Sequence, residues 1–393
     1  MINKQQRFAH VQPTYPVHHK RKVPFSPKIS VPATFPSQAL EIRRLDNELD
    51  RFILSEQDYL TIVIDAFASN IHYSTKIEGN PLPFEEVRRL TRDSFEGKAT
   101  DNPGWPSQEI INHVASWQVP EYFGLPWSIE KVKRVHKILM DGVLPEDQQG
   151  TLRDHPSQIE DAGVAYFFPA PPQYIGEELG ALVDWTNDQA GAFDPVVAAT
   201  VFFHEFESIH PFSNGNGRAG RTLFHVYLQN MGLPNAHLCR IEQQILSDPN
   251  MYYSLLAWTD QTGSYTELIE YITEAILAAY RSAVSQLGSM NLLGRDLDEN
   301  AKRILIRAKR QHEWFTLAQA SSWVQGITEQ TVRKHLNHLT TLGALEKQGR
   351  TRATKFRFPM RFPQLTALTS TLQTTLGGDN SIQTAAATLP QTR

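Results

Sequence analysis

The stretch His210-Pro211-Phe212-Ser213-Asn214-Gly215-Asn216-Gly217-Arg218-Ala219-Gly220-Arg221 decides the reading of this 393-residue chain. It lies between two predicted helices, near 195–209 and 217–231. Gly215 and Gly217 permit positive φ and a close approach of backbone to a ligand. Consecutive backbone N–H groups in such a turn form an anion-binding nest. The N-terminus of the next helix adds unpaired donors and the positive end of its dipole. Arg218 and Arg221 stand at i and i+3, so both can face one site. Two guanidinium forks beside a nest suit a di- or triphosphate. His210, just before the loop, is placed to take a proton from an attacking hydroxyl. The plain alternative is a glycine-rich interhelical turn with solvated arginines, and the combination of residues argues against it. No Gly-Lys-Ser/Thr follows, so this is not a Walker A loop. A helix precedes it, so it is not a strand-led dinucleotide fingerprint.

Outward from the loop, apolar spacing predicts a mostly helical body. Helices are expected from Ser37, over 56–78, 108–119, 128–141, 174–188, 195–209, 217–231, 249–261 and 265–288. Gly79-Asn80-Pro81 stops the second of these. Residues 150–173 lack helical periodicity and end in Phe168-Pro169-Ala170-Pro171-Pro172, so they read as a loop or short hairpin. Residues 1–36, rich in Pro, His and Lys, read as an extended basic arm. Residues 297–362 follow a separate pattern. Three helices (301–311, 317–324, 328–342) precede two strands, 345–347 and 355–358, which is the winged-helix order. Residues 363–393, rich in Thr, Gln and Ala, are expected to be disordered.

The net charge of −4 is a cancellation: residues 1–40 carry +6, residues 300–362 carry +10, and residues 41–299 carry −20. This asymmetry points to an anionic partner for the ends, or to a solvated basic tail at the N-terminus. A single cysteine, Cys239, excludes an internal disulfide scaffold. No apolar run reaches the ~18 residues that span a bilayer, and the start MINKQQRFAH has no apolar leader core. A cytoplasmic product with no membrane partner is expected.

The loop resembles the Fic family signature, His-Pro-Phe-x-Asp/Glu-Gly-Asn-Gly-Arg-x-x-Arg, at every fixed position but one. His204-Glu205-Phe206-Glu207-Ser208-Ile209, Gly150-x-x-Arg153 and the Pro-rich end of the 150–173 segment also resemble family features. The resemblance covers about 38–285 and implies a mainly α fold: a helical Fic core over 101–290 with a short β-hairpin flap. An N-terminal helical segment over 37–100 would precede it, and the C-terminal winged helix over 297–362 is a common family appendage.

The resemblance implies transfer of AMP from ATP to a Tyr, Thr or Ser hydroxyl of a protein target. His210 would be the general base. Gly215, Asn216, Gly217 and Arg218 would hold phosphate oxygens, and Arg221 the γ-phosphate. The 157–168 segment resembles the flap that positions a target backbone much as strand addition does. Tyr252 and Tyr253 would flank the nucleobase. Mg²⁺ would assist, but Asn214 stands where the family has a carboxylate, and a neutral amide is a weaker ligand for a hard cation. Upstream, Ser74-x-x-x-Glu78-Gly79 resembles the family's inhibitory motif, which implies that Glu78 pairs with Arg221 and blocks the γ-phosphate site.

Two other readings stay open. One is a DNA-binding regulator whose Fic domain binds nucleotide with little or no transfer. The other is a transferase using a different phosphate-linked donor. Arg333, Lys334, Arg350 and Arg352 are the DNA-binding candidates of the winged helix. Self-modification and a homodimer are further partners that the reading allows.

Overall fold

The computed structural model describes residues 4–52, 54, 56–98, 100–117, 124–161, 164–290, 297–311, 313–349 and 354–358. Helix dominates, as expected. The N-terminal segment holds α1 (Lys4–Arg7) and β1 (Val17–His18). There follow α2 (Phe35–Leu49), α3 (Glu56–Lys76), α4 (Phe84–Phe95), α5 (Trp105–Trp117) and α6 (Ile129–Met140). A short hairpin, β2 (Ile159–Asp161) and β3 (Val164–Phe168), occupies the segment read as non-helical. Then come α7 (Pro172–Asp188), α8 (Pro195–Ile209), α9 (Asn216–Asn230), α10 (Ile241–Ile245), α11 (Pro249–Thr262) and α12 (Thr266–Met290).

Local chemistry accounts for the ends of these helices. Ser128, Asp194 and Asp248 each accept a backbone N–H in the first turn of α6, α8 and α11. The apolar stripe of α2 (Phe35, Ala39, Ile42, Leu45, Leu49) is buried and lies against α12. α8 is buried along nearly its whole length, so it is the central helix of the core. α4 was not anticipated, because its buried side carries only Val87, Leu90 and Thr91 among charged residues.

One apolar core runs from Phe8 to Leu287 and a second from Leu297 to Phe356. The second core belongs to α13 (Glu299–Gln311), β4 (Phe315–Thr316), α14 (Leu317–Ser322), α15 (Glu329–Thr341), β5 (Glu346–Gln348) and β6 (Lys355–Arg357). The three strands pair antiparallel in the order β4-β6-β5. β4 is a strand that the pattern did not reveal. Arg333 and Lys334 are exposed on α15, and Arg333 reaches Glu329 at 3.4 Å. Arg350, Arg352 and the 363–393 tail lie outside the described residues.

The N-terminal arm corrects one of the two readings of its charge. It is not a solvated tail. Phe8, Val11, Val17, Phe25 and Phe35 are buried, and β1 pairs in parallel with β3, Val17 opposite Phe167 and His18 opposite Phe168. Its cations meet the acidic body: Arg7 bonds Glu274, Arg21 bonds Glu177, and Lys22 bonds Glu205.

Candidate active site

The loop begins where α8 ends. His210 caps α8 in the left-handed region, φ 52° and ψ 63°, and its N–H donates to Phe206 O at 2.9 Å. Its Nδ1 faces Glu207 O at 3.3 Å. Donation from Nδ1 to that carbonyl leaves the lone pair on Nε2. Burial lowers the His210 pKa to about 4, against the opposite pull of Glu78. The imidazole is therefore neutral near pH 7 and free to accept a proton.

Arg153 fixes the loop's entry. Its guanidinium donates to His210 O at 2.7 Å, Ile209 O at 3.2 Å, His155 O at 2.9 Å and Ala170 O at 2.5 Å. Its own N–H donates to Pro211 O at 2.9 Å. The end of α8 and the chain leaving β3 thus share one cation.

A left-handed glycine is required at one position of the loop, and a second glycine, without positive φ, lies against the ends of Glu78 and Arg221. Gly215 has φ 77° and N-caps α9, and a Cβ there would strike Met140. A Cβ on Gly217 would collide with the Glu78 carboxylate. Asn216 does not point at a ligand. Its amide clasps Phe212, donating to Phe212 O at 2.7 Å and accepting from Phe212 N at 2.8 Å. The side chain therefore shapes the nest and leaves the Asn216 backbone N–H as the group for phosphate.

Both arginines are buried and engaged. Arg218 pairs with Glu109 of α5 and donates to Asn214 Oδ1 at 2.7 Å. Arg221 donates from Nε to Ser74 Oγ at 2.8 Å, and from Nη2 to Ser74 O at 2.9 Å and Glu78 Oε1 at 2.8 Å. The turn after α3 thus places a carboxylate on the second arginine. Burial works against the charged form of Glu78, but Arg221 and Arg218 hold its pKa below the ordinary carboxylate value.

Asn214 Oδ1 also accepts from Gly215 N at 2.6 Å. An amide oxygen already shared by an N–H and a guanidinium is a poor seat for a dication. Mg²⁺ at Asn214 would have to displace one of these two donors. No cluster of three or more His, Cys, Asp or Glu suited to a metal occurs among the described residues.

Residues 126–228 match the model of the Fic/DOC family. Over this stretch the chain is similar to Fic domains. The chain is 32% identical over 174 residues to "Protein adenylyltransferase fic-1" of Caenorhabditis briggsae, a match covering 42% of this chain and 32% of that protein. It is 26% identical over 231 residues to "Protein adenylyltransferase Fic" of Aedes aegypti, covering 57% of this chain and 43% of that protein. The chain therefore spans less than half the length of these curated relatives. Among solved structures, a Fic family protein from Desulfovibrio desulfuricans G20 superposes with a TM-score of 0.57 at 22% identity, covering 86% of this chain and 99% of that one. That likeness concerns the fold.

Around the Fic loop, the two tyrosines separate. Tyr252 is buried, its ring 6.3 Å from Phe203 and 5.2 Å from Tyr253. Tyr253, by contrast, is 45% exposed and offers a ring face.

Residues that the motif did not name surround the loop. His136 of α6 stacks on Phe212, with ring centroids 3.8 Å apart. It accepts from Gly150 N at 2.9 Å and donates from Nε2 to Asn214 O at 2.8 Å. Burial lowers its pKa to about 4, so it braces the nest as a neutral ring of fixed tautomer. Glu109 holds Arg218. Glu207, on α8 near Arg221, is half-buried, and its inaccessible Oε1 has no partner among the described residues. Burial raises its pKa to about 8, against the attraction of Arg221. The sequence signal for Glu109 and His136 was a polar residue inside an apolar helix face, but such a signal does not say which partner it meets.

Proposed function

We propose that this chain transfers AMP from ATP to a Tyr, Thr or Ser hydroxyl of a protein target, and that Glu78 restrains it by occupying Arg221. The observation that carries the reading is the neutral His210 imidazole next to a glycine nest that leads into a helix carrying two buried arginines. The names of the curated relatives agree with it.

In this reading the target hydroxyl gives its proton to His210 Nε2 as its oxygen attacks the α-phosphorus, and pyrophosphate leaves. Backbone N–H groups of Gly215 to Gly217 and the start of α9 hold phosphate oxygens. Arg221, once free of Glu78, binds the γ-phosphate. The β2–β3 hairpin serves as the flap, and Tyr253 as one wall for the base. Residues 37–100 and 101–290 act as inhibitory segment and catalytic core. Residues 297–362 form a winged helix that docks a target or, through Lys334, nucleic acid.

Mass spectrometry of the full-length protein after incubation with ATP in magnesium-containing buffer, as wild type and as Glu78→Gly, tests the reading. An added AMP on the chain or on an added target supports it. The engagement of Arg218 by both Glu109 and Asn214 favours one alternative, a nucleotide-binding regulator without transfer. Tight ATP binding with no transfer in Glu78→Gly would establish that alternative instead. Transfer of the γ-phosphate label rather than the α-label would establish a different donor chemistry.

A further inference from the structure

The N-terminal arm runs as a strand along the hairpin. Val17 and His18 pair with Phe167 and Phe168, and His19 N extends the ladder to Phe168 O at 2.8 Å. The sheet order is β1-β3-β2, so the arm fills one edge of β3. Val17 sits in a small apolar pocket with Phe167, Ile159 and Ala257 of α11, separate from the main core. Two residues on, the side chain of His19 is 2% exposed, with Nε2 at 2.5 Å from Glu178 and Nδ1 at 2.8 Å from Ser208 Oγ. Lys22 then reaches Glu205 at 2.5 Å. Lys20 and the Thr14 N–H both bond Gln261 of α11.

This edge is the one beside the base. Ala170, two residues past β3, shares the Arg153 guanidinium with the His210 carbonyl. Ser208, which receives His19, lies two residues before His210 on α8. A backbone laid against β3 therefore passes the end of the helix that carries the base.

We propose that the groove between β3 and α11 is the seat for an extended, basic segment of the protein target, and that residues 14–22 are its resident occupant. The proposal rests on the reading of β2–β3 as the flap that registers a target. Strand addition supplies affinity through main-chain bonds and specificity through alternate side chains. Here the alternate positions are an apolar pocket at Val17 and a carboxylate at His19, with a second carboxylate further on at Lys22. The groove thus selects a β-branched residue, a nitrogen donor two residues later and a lysine or arginine three beyond that. An acidic segment would meet Glu178 and Glu205 and be rejected. Tethering gives the resident arm a high effective concentration, which an incoming segment must exceed.

The test uses the full-length protein and a fluorescein-labelled peptide of residues 12–25, read by anisotropy, so that it needs no transfer activity. Wild type, its groove filled, should bind the peptide weakly. His19→Ala/Lys22→Ala, with a loosened arm, should bind it at least ten-fold tighter, and a peptide carrying Val17→Asp should not bind. Lys22→Ala alone should give a smaller gain in the same direction, and it decides the matter if the double variant does not melt cooperatively. Equal affinity of wild type and variants, no binding by any of them, or binding that tolerates Val17→Asp would overturn the proposal. AMP transfer without this binding pattern would reject the groove and leave the transferase reading standing. The binding pattern without transfer would do the reverse.

Discussion

Asn214 Oδ1 accepts the Nη2–H of Arg218 at 2.7 Å, so the first arginine of the Fic loop is held by a side chain of the loop itself. Asn214→Asp converts this neutral acceptor into a carboxylate. It should raise the affinity of the loop for Mg²⁺ about ten-fold, because carboxylates are the stronger ligands for hard cations. Isothermal titration with Mg²⁺ and ATP measures this directly, and AMP transfer should rise with it. If neither quantity moves, the amide is not what limits the site.

Glu78→Gly removes the carboxylate from Arg221 and leaves Ser74 as that arginine's partner. Transfer of α-phosphate label from ATP should rise at least ten-fold. The folded state should lose on the order of 1 kcal/mol, the cost of removing one member of a part-buried, hydrogen-bonded pair whose carboxylate still meets solvent. A thermal melt and a transfer assay on the same sample check both halves. An unchanged rate in a protein that still binds ATP would remove Glu78 from the regulation.

The pH dependence of transfer should report His210. Its pKa is lowered to about 4 by burial, so the imidazole stays neutral far below the usual value. In the Glu78→Gly background the group that opposed this shift is gone. The acid limb of kcat/KM should therefore fall below pH 5. A limb near pH 6.5 would mean that the ring is solvated when it acts.

Glu207 makes a stability prediction of definite sign. Its folded pKa, raised to about 8 by burial, lies above the ordinary carboxylate value of 4.5. Between these values the folded chain holds a proton that the unfolded chain has lost. Stability should therefore fall as pH rises through this window, with a slope of up to about 1.4 kcal/mol per pH unit. Glu207→Gln should flatten that slope. Urea unfolding at several pH values, wild type against variant, measures it, and parallel curves would refute the buried neutral acid.

The helical body and the Fic loop were legible because their signals are local: apolar spacing within one helix, and glycines and arginines a few residues apart. The Glu78–Arg221 pair was reachable only through the family resemblance, since 143 residues separate its members. The burial of the arm was not legible at all. Val17 meets Phe167, and Lys22 meets Glu205, and nothing near residues 1–36 announces such distant partners. The use of the Asn216 side chain was hidden for a related reason. A side chain in a binding loop can serve the loop's own backbone, and composition does not separate the two uses.

His210 occupies the left-handed cap of α8, a place that helices ordinarily give to glycine. An L-residue there carries strain of roughly 1–2 kcal/mol, and the imidazole is kept at that position in spite of it. His210→Gly should then melt higher than His210→Ala while both lose the base. With His210 as the proposed base, this is a position at which the fold and the chemistry favour different amino acids. Selection for heat resistance alone would replace the histidine here first.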